Sequence, residues 1–368
     1  MNKLKYILFA FAAFSMTLVA SCSSDDSVAD GGRREVMNEG APAELTVKLA
    51  TMSADMTRTL SEANENIIND LALLAFNDRG NCNGFSYTRV ARAGYGYTLN
   101  TGRVPTRQGD NITIYAVANV DGTSCDSAVL SKIETIEEFK KCAIVLSSTD
   151  DIVNDDDTPM FGYVTGYTLA ASTGAVNIDL TRLATKMNFT IQVDSGVALA
   201  GLQLCHVPMA SYLYQDKNYV KGNSYLSNPG TVYANQPMIN CGKVENDDPI
   251  HTLDTLVTFY TFENLVGQSE ASAEESLRTF ENAPVNATYL NVTTNIGGAS
   301  YTFRVYLGGV TFDDYTNYDI PRNYAYTGKI RIAYSASKNT AVIMPVLVTR
   351  NNTIDNWTAE KDSTSMYN

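Results

Sequence analysis

The sequence predicts an all-β protein of two tandem antiparallel β-sandwich domains with few short helices. Its 368 residues include 22 tyrosines and 24 glycines around short apolar runs, a composition typical of strands and turns. Polar turns separate these runs, and long helical patterns do not alternate with them, which argues against a parallel α/β sheet. About 325 residues remain after the N-terminal segments, which is enough for two domains.

The N-terminus predicts export and attachment of lipid. Residues 1–21 have the features of a signal peptide, because two lysines precede the apolar run 6–20, which is too short for a mature membrane-spanning helix. The run ends in the letters VASC, which resemble a bacterial lipobox. We therefore expect cleavage between Ser21 and Cys22 and lipidation of the Cys22 thiol. The alternative is an exported protein without lipid, in which Cys22 stands at this position by chance.

The segment 22–58 is predicted to combine a flexible tether with a first strand that can be removed. Residues 23–43 are polar and rich in glycine, with only three large apolar side chains. Such a composition cannot bury a hydrophobic core, so we expect this part to remain a tether.

The pattern of the first strand follows the tether. Leu45, Val47 and Leu49 alternate with polar or small residues, which predicts a strand with one buried face. Arg58 then lies in a polar-to-apolar transition directly before Thr59, where we expect the peptide bond to be accessible to a protease. The alternative is an ordinary first strand of a β-domain with Arg58 on a turn.

We expect the N-terminal sandwich to comprise residues 59–195. The apolar run 69–76 predicts a central strand, and the alternation within 111–120 predicts a strand with one buried face. Residues 132–141 place apolar side chains at helical spacing, which predicts one short amphipathic helix. Two strand patterns meet at a basic kink within 176–193, and the predicted domain boundary follows directly.

The C-terminal sandwich is expected over residues 196–368. Its strand patterns, separated by polar turns, lie at 197–208, 253–267, 287–296, 301–309, 325–334 and 341–348. Pro345 interrupts the last run. Because proline cannot donate a hydrogen bond to a neighbouring strand, this run is predicted to be an edge strand or to contain a bulge.

The sequence contains no motif that indicates catalysis, a cofactor or a metal. His206 and His251 are the only histidines, and neither lies in a motif such as GxSxG or HExxH. The acidic residues within 150–157 suggest calcium, but they lack the glycine turn and closing glutamate of an EF-hand, so a solvated loop is favoured. We expect no enzyme activity, no cofactor and no bound metal.

The charge and the cysteines restrict the partners and the redox chemistry. The formal charge of −13 argues against nucleic acid as a partner. Five cysteines remain besides Cys22, an odd number without CxxC or Cys/His spacing. We interpret them mostly as small buried residues; one disulfide is possible, and the sequence leaves its pairing open.

Several segments together resemble a known family. They are the lipobox, the strand before Arg58, and the segments NDLALLAFNDRG, ITIYAVANVDG, LTRLATKMNFTIQV, FYTFENLVG, ATYLNVT with FRVYLGG, and IPRNYAYTGKIRI. Their order along nearly the whole chain is similar to that in the fimbrillins of Bacteroidales, the subunits of type V pili.

This resemblance implies a two-domain, transthyretin-like pilin that is exported as a lipoprotein to the outer membrane. An arginine-specific protease would cut between Arg58 and Thr59 and release the first strand. Loss of Leu45, Val47 and Leu49 would open a groove, and a strand of another pilin subunit would fill it. The processed subunit would then be part of a fimbrium at the cell surface that contributes to adhesion.

The sequence does not decide which segment acts as the donor strand. The tail 358–368 is polar, whereas the run 341–348 offers Val342, Met344, Val346 and Val348 as candidate donor residues. The run could equally remain in its own sandwich as the last core strand, and the chain would then be a tip subunit that accepts a strand and donates none.

A second hypothesis belongs to another class of function. A monomeric surface lipoprotein that binds glycans would also use exposed aromatic side chains, and tyrosine is abundant. Trp357 is the only tryptophan, however, and tyrosine equally serves as a core residue of a sandwich.

Overall fold

The computed structural model describes most of the chain between residues 40 and 350. The described ranges are 40–49, 67–90, 99–153, 158–194, 196–215, 232–241, 250–252, 257–274, 277–309, 314–335 and 338–350. The predicted sites at Ser21, Cys22, Arg58 and Thr59 lie outside these ranges, as does the polar tail. Within the described part of the chain, no helix is long and apolar enough to span a membrane.

The first sandwich consists of two sheets. Its strands are β1 (Pro42–Leu49), β2 (Asp70–Phe76), β3 (Cys82–Arg89), β4 (Thr101–Arg107), β5 (Gly109–Ala118), β7 (Met160–Leu169), β8 (Thr173–Ile178) and β9 (Thr181–Arg182), while the short β6 (Ala143–Val145) lies outside both sheets. One sheet has the order β3-β2-β5-β7-β9 and the other the order β4-β1-β8. The all-β prediction is confirmed.

The five-stranded sheet is covered on both faces. In β2, Leu71 and Leu73 belong to the core cluster shared with β1, whereas Leu74 and Phe76 belong to a second cluster on the opposite face. All seven side chains of β2 are buried, which explains its continuous apolar run. In β5 every residue from Ile112 onward is also buried, so the prediction of one buried face was wrong for this strand.

Two short helices pack on the second face of this sheet. They are α1 (Ser127–Leu130) and α2 (Ile136–Phe139), and a 3-10 helix follows at Thr149–Val153. Thr135 caps α2, since its hydroxyl accepts a hydrogen bond from the Glu138 amide over 3.2 Å. Phe139 is fully buried, so the predicted amphipathic helix is present but is only four residues long.

The second sandwich also consists of two sheets. Its strands are β10 (Ala184–Asp194), β11 (Val197–Cys205), β15 (Ile239–Asn240), β16 (Ile250–Thr252), β17 (Val257–Phe262), β18 (Tyr289–Ile296), β19 (Ala299–Tyr306), β20 (Tyr324–Ser335) and β21 (Lys338–Arg350). One sheet has the order β16-β10-β20-β21, with β17 also paired to β10, and the other has the order β15-β11-β18-β19. Short strands β12 (Val207–Pro208), β13 (Ala210–Tyr212) and β14 (Tyr233–Ala234) lie beside them.

Each sandwich contains one parallel pair, so neither is wholly antiparallel as predicted. β1 is antiparallel to β4 and parallel to β8, and β10 is antiparallel to β17 and parallel to β20. The first strand of each sandwich therefore pairs with an antiparallel strand on one side and with a parallel strand on the other. The parallel partner comes later in the chain than the antiparallel partner. This shared arrangement supports the tandem organisation.

Strand pairing changes from the first sandwich to the second between β9 and β10. The predicted boundary near Asp194 and Ser195 falls at the end of β10, one strand after this change. β6 pairs with β13, with Ser211 opposite Ile144, so one short ladder joins segments of the two sandwiches.

Candidate functional site

The strand β1, the first in the described part of the chain, is the central strand of its sheet. β1 pairs with β4 from Pro42↔Arg107 to Lys48↔Thr101, and with β8 from Glu44↔Thr173 to Leu49↔Ile178. Within the described residues, β4 and β8 are joined in this sheet only through β1. Removal of β1 would therefore leave a groove with an unpaired strand edge on each side, and such edges are templates for another strand.

The side chains of β1 alternate as the sequence predicts. Leu45 and Val47 are fully buried and Leu49 is 3% exposed, in a cluster with apolar residues of the facing sheet. Glu44 and Lys48 are exposed. Burial of the three apolar side chains contributes at most about 5–9 kcal/mol before the cost of ordering the strand.

Two glycines shape the walls of this groove. Gly102 of β4 lies opposite Val47, and Gly174 of β8 lies opposite Leu45. A Cβ on Gly102 would lie 2.7 Å from Leu71 Cδ2, and a Cβ on Gly174 would lie 3.1 Å from Leu45 Cδ1. A side chain at Gly102 would therefore displace leucines of the facing sheet, and a side chain at Gly174 would crowd Leu45 of the inserted strand.

The predicted processing site lies in the connection from β1 to β2. Arg58 and Thr59 fall within residues 50–66, outside the described ranges. The connection is the covalent link between β1 and the rest of the sandwich. A cut at Arg58 would leave β1 held by its hydrogen bonds and its three buried side chains alone.

The candidate donor run forms β21. This strand pairs antiparallel with β20 from Tyr324↔Arg350 to Ser335↔Lys338 and lies at the edge of its sheet. The register shifts between Gly328↔Val346 and Ile330↔Ile343, which places Pro345 at a bulge. Both predicted positions for the proline, an edge and a bulge, are confirmed.

The bulge separates the candidate donor residues into two registers. Val346 and Val348 lie opposite Gly328 and Tyr326, whereas Val342 lies opposite Arg331; Met344 falls within the bulge. The predicted set of Val342, Met344, Val346 and Val348 is therefore interrupted while β21 is paired with β20. Donation of β21 would require separation from β20 and straightening of the strand.

Two segments that carry the family resemblance meet through a buried ion pair. Glu263 comes from FYTFENLVG and Arg322 from IPRNYAYTGKIRI; their side chains are 0% and 3% exposed, and Arg322 Nε lies 3.2 Å from Glu263 Oε1. The Arg322 guanidinium also donates to the carbonyls of Leu213 and Tyr212, both over 3.0 Å. Because β13 ends at Tyr212, this arginine fixes the segment that pairs with β6.

Sequence reasoning missed this pair. The signal that could have found it is a charged residue inside each of two otherwise apolar segments, since a fully buried charge is nearly always paired. Arg182, in the predicted basic kink, is likewise fully buried, and its guanidinium donates to Asn323 Oδ1 over 3.2 Å. Arg182 and Arg322 are therefore both held by contacts inside the fold.

The histidines and acids occupy no assembled reaction centre among the described residues. His206 packs edge-on against Tyr289 with 5.1 Å between ring centroids, and burial lowers the pKa of its imidazole. No cluster of three or more histidine, cysteine, aspartate or glutamate side chains suited to a metal occurs in the described ranges. Asp155, Asp156 and Asp157 lie outside them.

The fold and the groove define a class of protein, a tandem β-sandwich whose first strand is inserted between two later strands. Comparison with known families gives two matches. Residues 43–200 match the family described as "Major fimbrial subunit protein (FimA)", and residues 259–330 match a domain of unknown function, DUF4906. The match over residues 43–200 confirms the predicted resemblance to the fimbrillins.

Solved structures share the fold. A protein from Parabacteroides distasonis ATCC 8503, described as a candidate cell adhesion protein, matches with a TM-score of 0.54 and 17% identity over 84% of this chain and 96% of its own. The C-terminally truncated tip fimbrial protein Mfa3 of Porphyromonas gingivalis matches with a TM-score of 0.50 and 17% identity over 84% of this chain and 99% of its own. A fimbrilin (FimA) of Porphyromonas gingivalis W83 matches with a TM-score of 0.50 and 12% identity over 83% of this chain and 95% of its own.

No curated protein matches the chain. The family that residues 43–200 match is one of fimbrial subunits. That family is structural and non-enzymatic, in agreement with the prediction that the chain is not an enzyme.

Proposed function

We propose that this protein is a subunit of a cell-surface fimbrium that polymerises with other pilin subunits by exchange of a β-strand. The observation that carries the proposal is β1, the N-terminal strand, which occupies a groove between β4 and β8 and buries Leu45, Val47 and Leu49. An N-terminal strand in that position can be separated by one cut. Its departure leaves a groove of the right length and chemistry for a strand with alternating apolar residues.

The precursor reaches the outer membrane as a lipoprotein anchored through Cys22. Support comes from the signal-peptide pattern and from the tether, which separates the lipid from the first described residues. A single acyl chain binds a membrane only weakly, so stable attachment needs more than one. An arginine-specific protease then cuts between Arg58 and Thr59 and separates the lipidated segment from the subunit.

The cut controls assembly because it changes β1 from an intramolecular to an intermolecular ligand. Before cleavage β1 competes for the groove at an effective concentration that is typically about millimolar for short linkers. A donor strand from another subunit cannot match that advantage. After cleavage both strands compete as separate segments, and a donor with better packing can replace β1.

The proposal extends to the donor strand and to the position of the subunit in the fibre. β21 is an edge strand, so it can separate from its sheet with the loss of one neighbour, β20. It is therefore the candidate donor of a shaft subunit. If β21 stays in place, the chain accepts a strand and donates none, as a tip subunit would.

The test replaces the arginine at the proposed cut. Arg58→Ala should leave the protein folded and lipidated but prevent fibres, because β1 remains in its groove. Arg79→Ala, at an exposed arginine on the turn between β2 and β3, is the matched control and should assemble normally. Fibres are measured as ladders on unboiled gels and by electron microscopy, and the N-terminal residue of the fibre subunit should be Thr59.

Normal fibres from Arg58→Ala would contradict the proposal. The same assembly reaction identifies the donor when synthetic peptides of residues 339–350 and 353–368 are added. Inhibition by 339–350 alone supports a shaft subunit that donates β21, and inhibition by 353–368 alone assigns donation to the tail. Inhibition by neither supports a tip subunit.

A further inference from the structure

Two cysteines lie at the base of a small helical excursion from the first sandwich. Cys125 directly precedes α1, and Cys142 lies between α2 and β6. The chain leaves the sandwich at the first of these cysteines, forms both helices and returns at the second. The ends of the excursion are therefore expected to lie close together.

Hydrogen bonds hold these two ends side by side. The Ser124 hydroxyl donates to the Ala143 carbonyl over 3.0 Å and accepts from the Val145 amide over 2.8 Å. The residue before Cys125 thus bridges Ala143 and Val145, the first and last residues of β6. The Cys142 amide donates to the Phe139 carbonyl over 2.9 Å, which fixes the return of the chain after α2.

The two thiols meet in the core. Cys125 is 2% exposed and Cys142 is 9% exposed, both belong to the same hydrophobic cluster, and each thiol has the largest influence on the pKa of the other. The Cys142 thiol also donates to the Glu138 carbonyl over 3.8 Å. The other described cysteines have backbone contacts of their own. The thiols of Cys82, Cys205 and Cys241 each donate to a backbone carbonyl two residues away, of Gly84, Gln203 and Ile239 respectively.

We propose that Cys125 and Cys142 are joined by a disulfide in the exported protein. Both thiols are free in the structure. In the reaction each thiol loses a proton, and together they lose two electrons to the disulfide of an exported thiol oxidoreductase, which is reduced to two thiols. The bond that forms is Sγ–Sγ. The proposal requires an oxidising compartment, which the predicted signal peptide provides.

The two thiols influence each other in the folded protein. Their interaction lowers the pKa of the Cys142 thiol and raises the pKa of the Cys125 thiol. Either thiol can form the mixed disulfide that the other resolves. Since both side chains are buried in the folded protein, the exchange takes place during folding, before the core closes.

The bond would close a loop of about 17 residues at the point where the two sandwiches are joined. Cys142 precedes β6, which pairs with β13, and the Cys142 carbonyl accepts a hydrogen bond from Leu213 over 3.0 Å. A disulfide here would thus hold the excursion and the start of the connecting ladder together.

The experiment maps the thiols of the native protein. Protein isolated from its bacterial membranes is alkylated with iodoacetamide without reduction, digested with trypsin and analysed by mass spectrometry. The two cysteines fall on separate tryptic peptides, residues 108–132 and 142–182. The expected result is one linked species with the combined mass of the two peptides less two hydrogen atoms, which reduction by dithiothreitol separates.

Reduction should also lower the Tm by about 6–12 °C, because a disulfide that closes a loop of this length usually stabilises a domain of this size by that amount. Cys125→Ser and Cys142→Ser should each abolish the linked species. Cys82→Ser is the matched control and should retain it. Separate alkylated peptides 108–132 and 142–182 from the wild-type protein, or a link from either cysteine to a third, would overturn the proposal, and neither result depends on the folding of a variant.

Discussion

Leu45→Ala should make β1 leave its groove far more readily after the chain has been cut. The side chain is fully buried in the cluster between the two sheets, and Gly174 opposite it has no side chain that could fill the cavity left by truncation. Truncation of a buried leucine to alanine costs about 2–5 kcal/mol. At about 1.4 kcal/mol per factor of ten, retention of β1 weakens roughly 30-fold to several thousand-fold.

The assay separates cleavage from release. Residues 55–61 are replaced by the recognition sequence of a site-specific protease, because an arginine-specific enzyme would also find exposed arginines such as Arg103, whose side chain is 72% exposed. The protein carries a fluorophore near residue 40 and is cut completely. Release of the labelled fragment into excess unlabelled peptide 40–50 is then followed by gel filtration and by fluorescence anisotropy.

Lys48→Ala is the matched control, since Lys48 lies on the exposed side of the same strand. It should change the rate of release by less than a factor of ten. The uncut Leu45→Ala protein should show a lower urea midpoint and retain its fragment. Equal release from the Leu45→Ala and Lys48→Ala proteins would refute the reasoning, because the buried face of β1 would then not determine its retention.

Two further predictions follow from other parts of the chain. Cys22→Ala should abolish lipid attachment and sedimentation with membranes, as measured by mass spectrometry and by pelleting; full pelleting of a variant whose signal peptide has been removed would count against the anchor. Arg322→Met should destabilise the second sandwich by about 3–5 kcal/mol in urea unfolding, because the Glu263 carboxylate would remain buried without its cation, with hydrogen bonds only from the Gln215 side chain and the residue 322 amide. Arg103→Met breaks the exposed pair with Glu44, 3.3 Å apart, and should cost less than about 1 kcal/mol; an equal loss in both variants would contradict the importance of burial.

The position of β1 illustrates how far a local pattern reaches. The alternation of Leu45, Val47 and Leu49 predicted a strand with one buried face, and the structure confirms it. The pattern could not predict that β1 lies between β4 and β8, with one antiparallel and one parallel neighbour. Period-2 alternation reports which side of a strand is buried and contains no information on its partners.

β5 shows the complementary limit. Its alternation suggested one solvated face, yet Tyr115 and Val117 are as buried as Ile114 and Ala116, because helices and further strands cover the second face of the sheet. Small and aromatic side chains can pack in a second core as readily as they can lie at a surface. Whether they do so depends on what the rest of the chain places above them.

The sequence by itself determined the all-β class, the strands and short helices, the family resemblance and the predicted processing segment. These depend on composition, periodicity and short motifs, which are local properties of the chain. Only the tertiary structure decided the partners of β1 and β21, the buried pair of Glu263 with Arg322, and the meeting of Cys125 with Cys142. Each of these contacts joins residues distant in sequence, and its existence depends on the free energy of the whole packed fold, which no local pattern encodes.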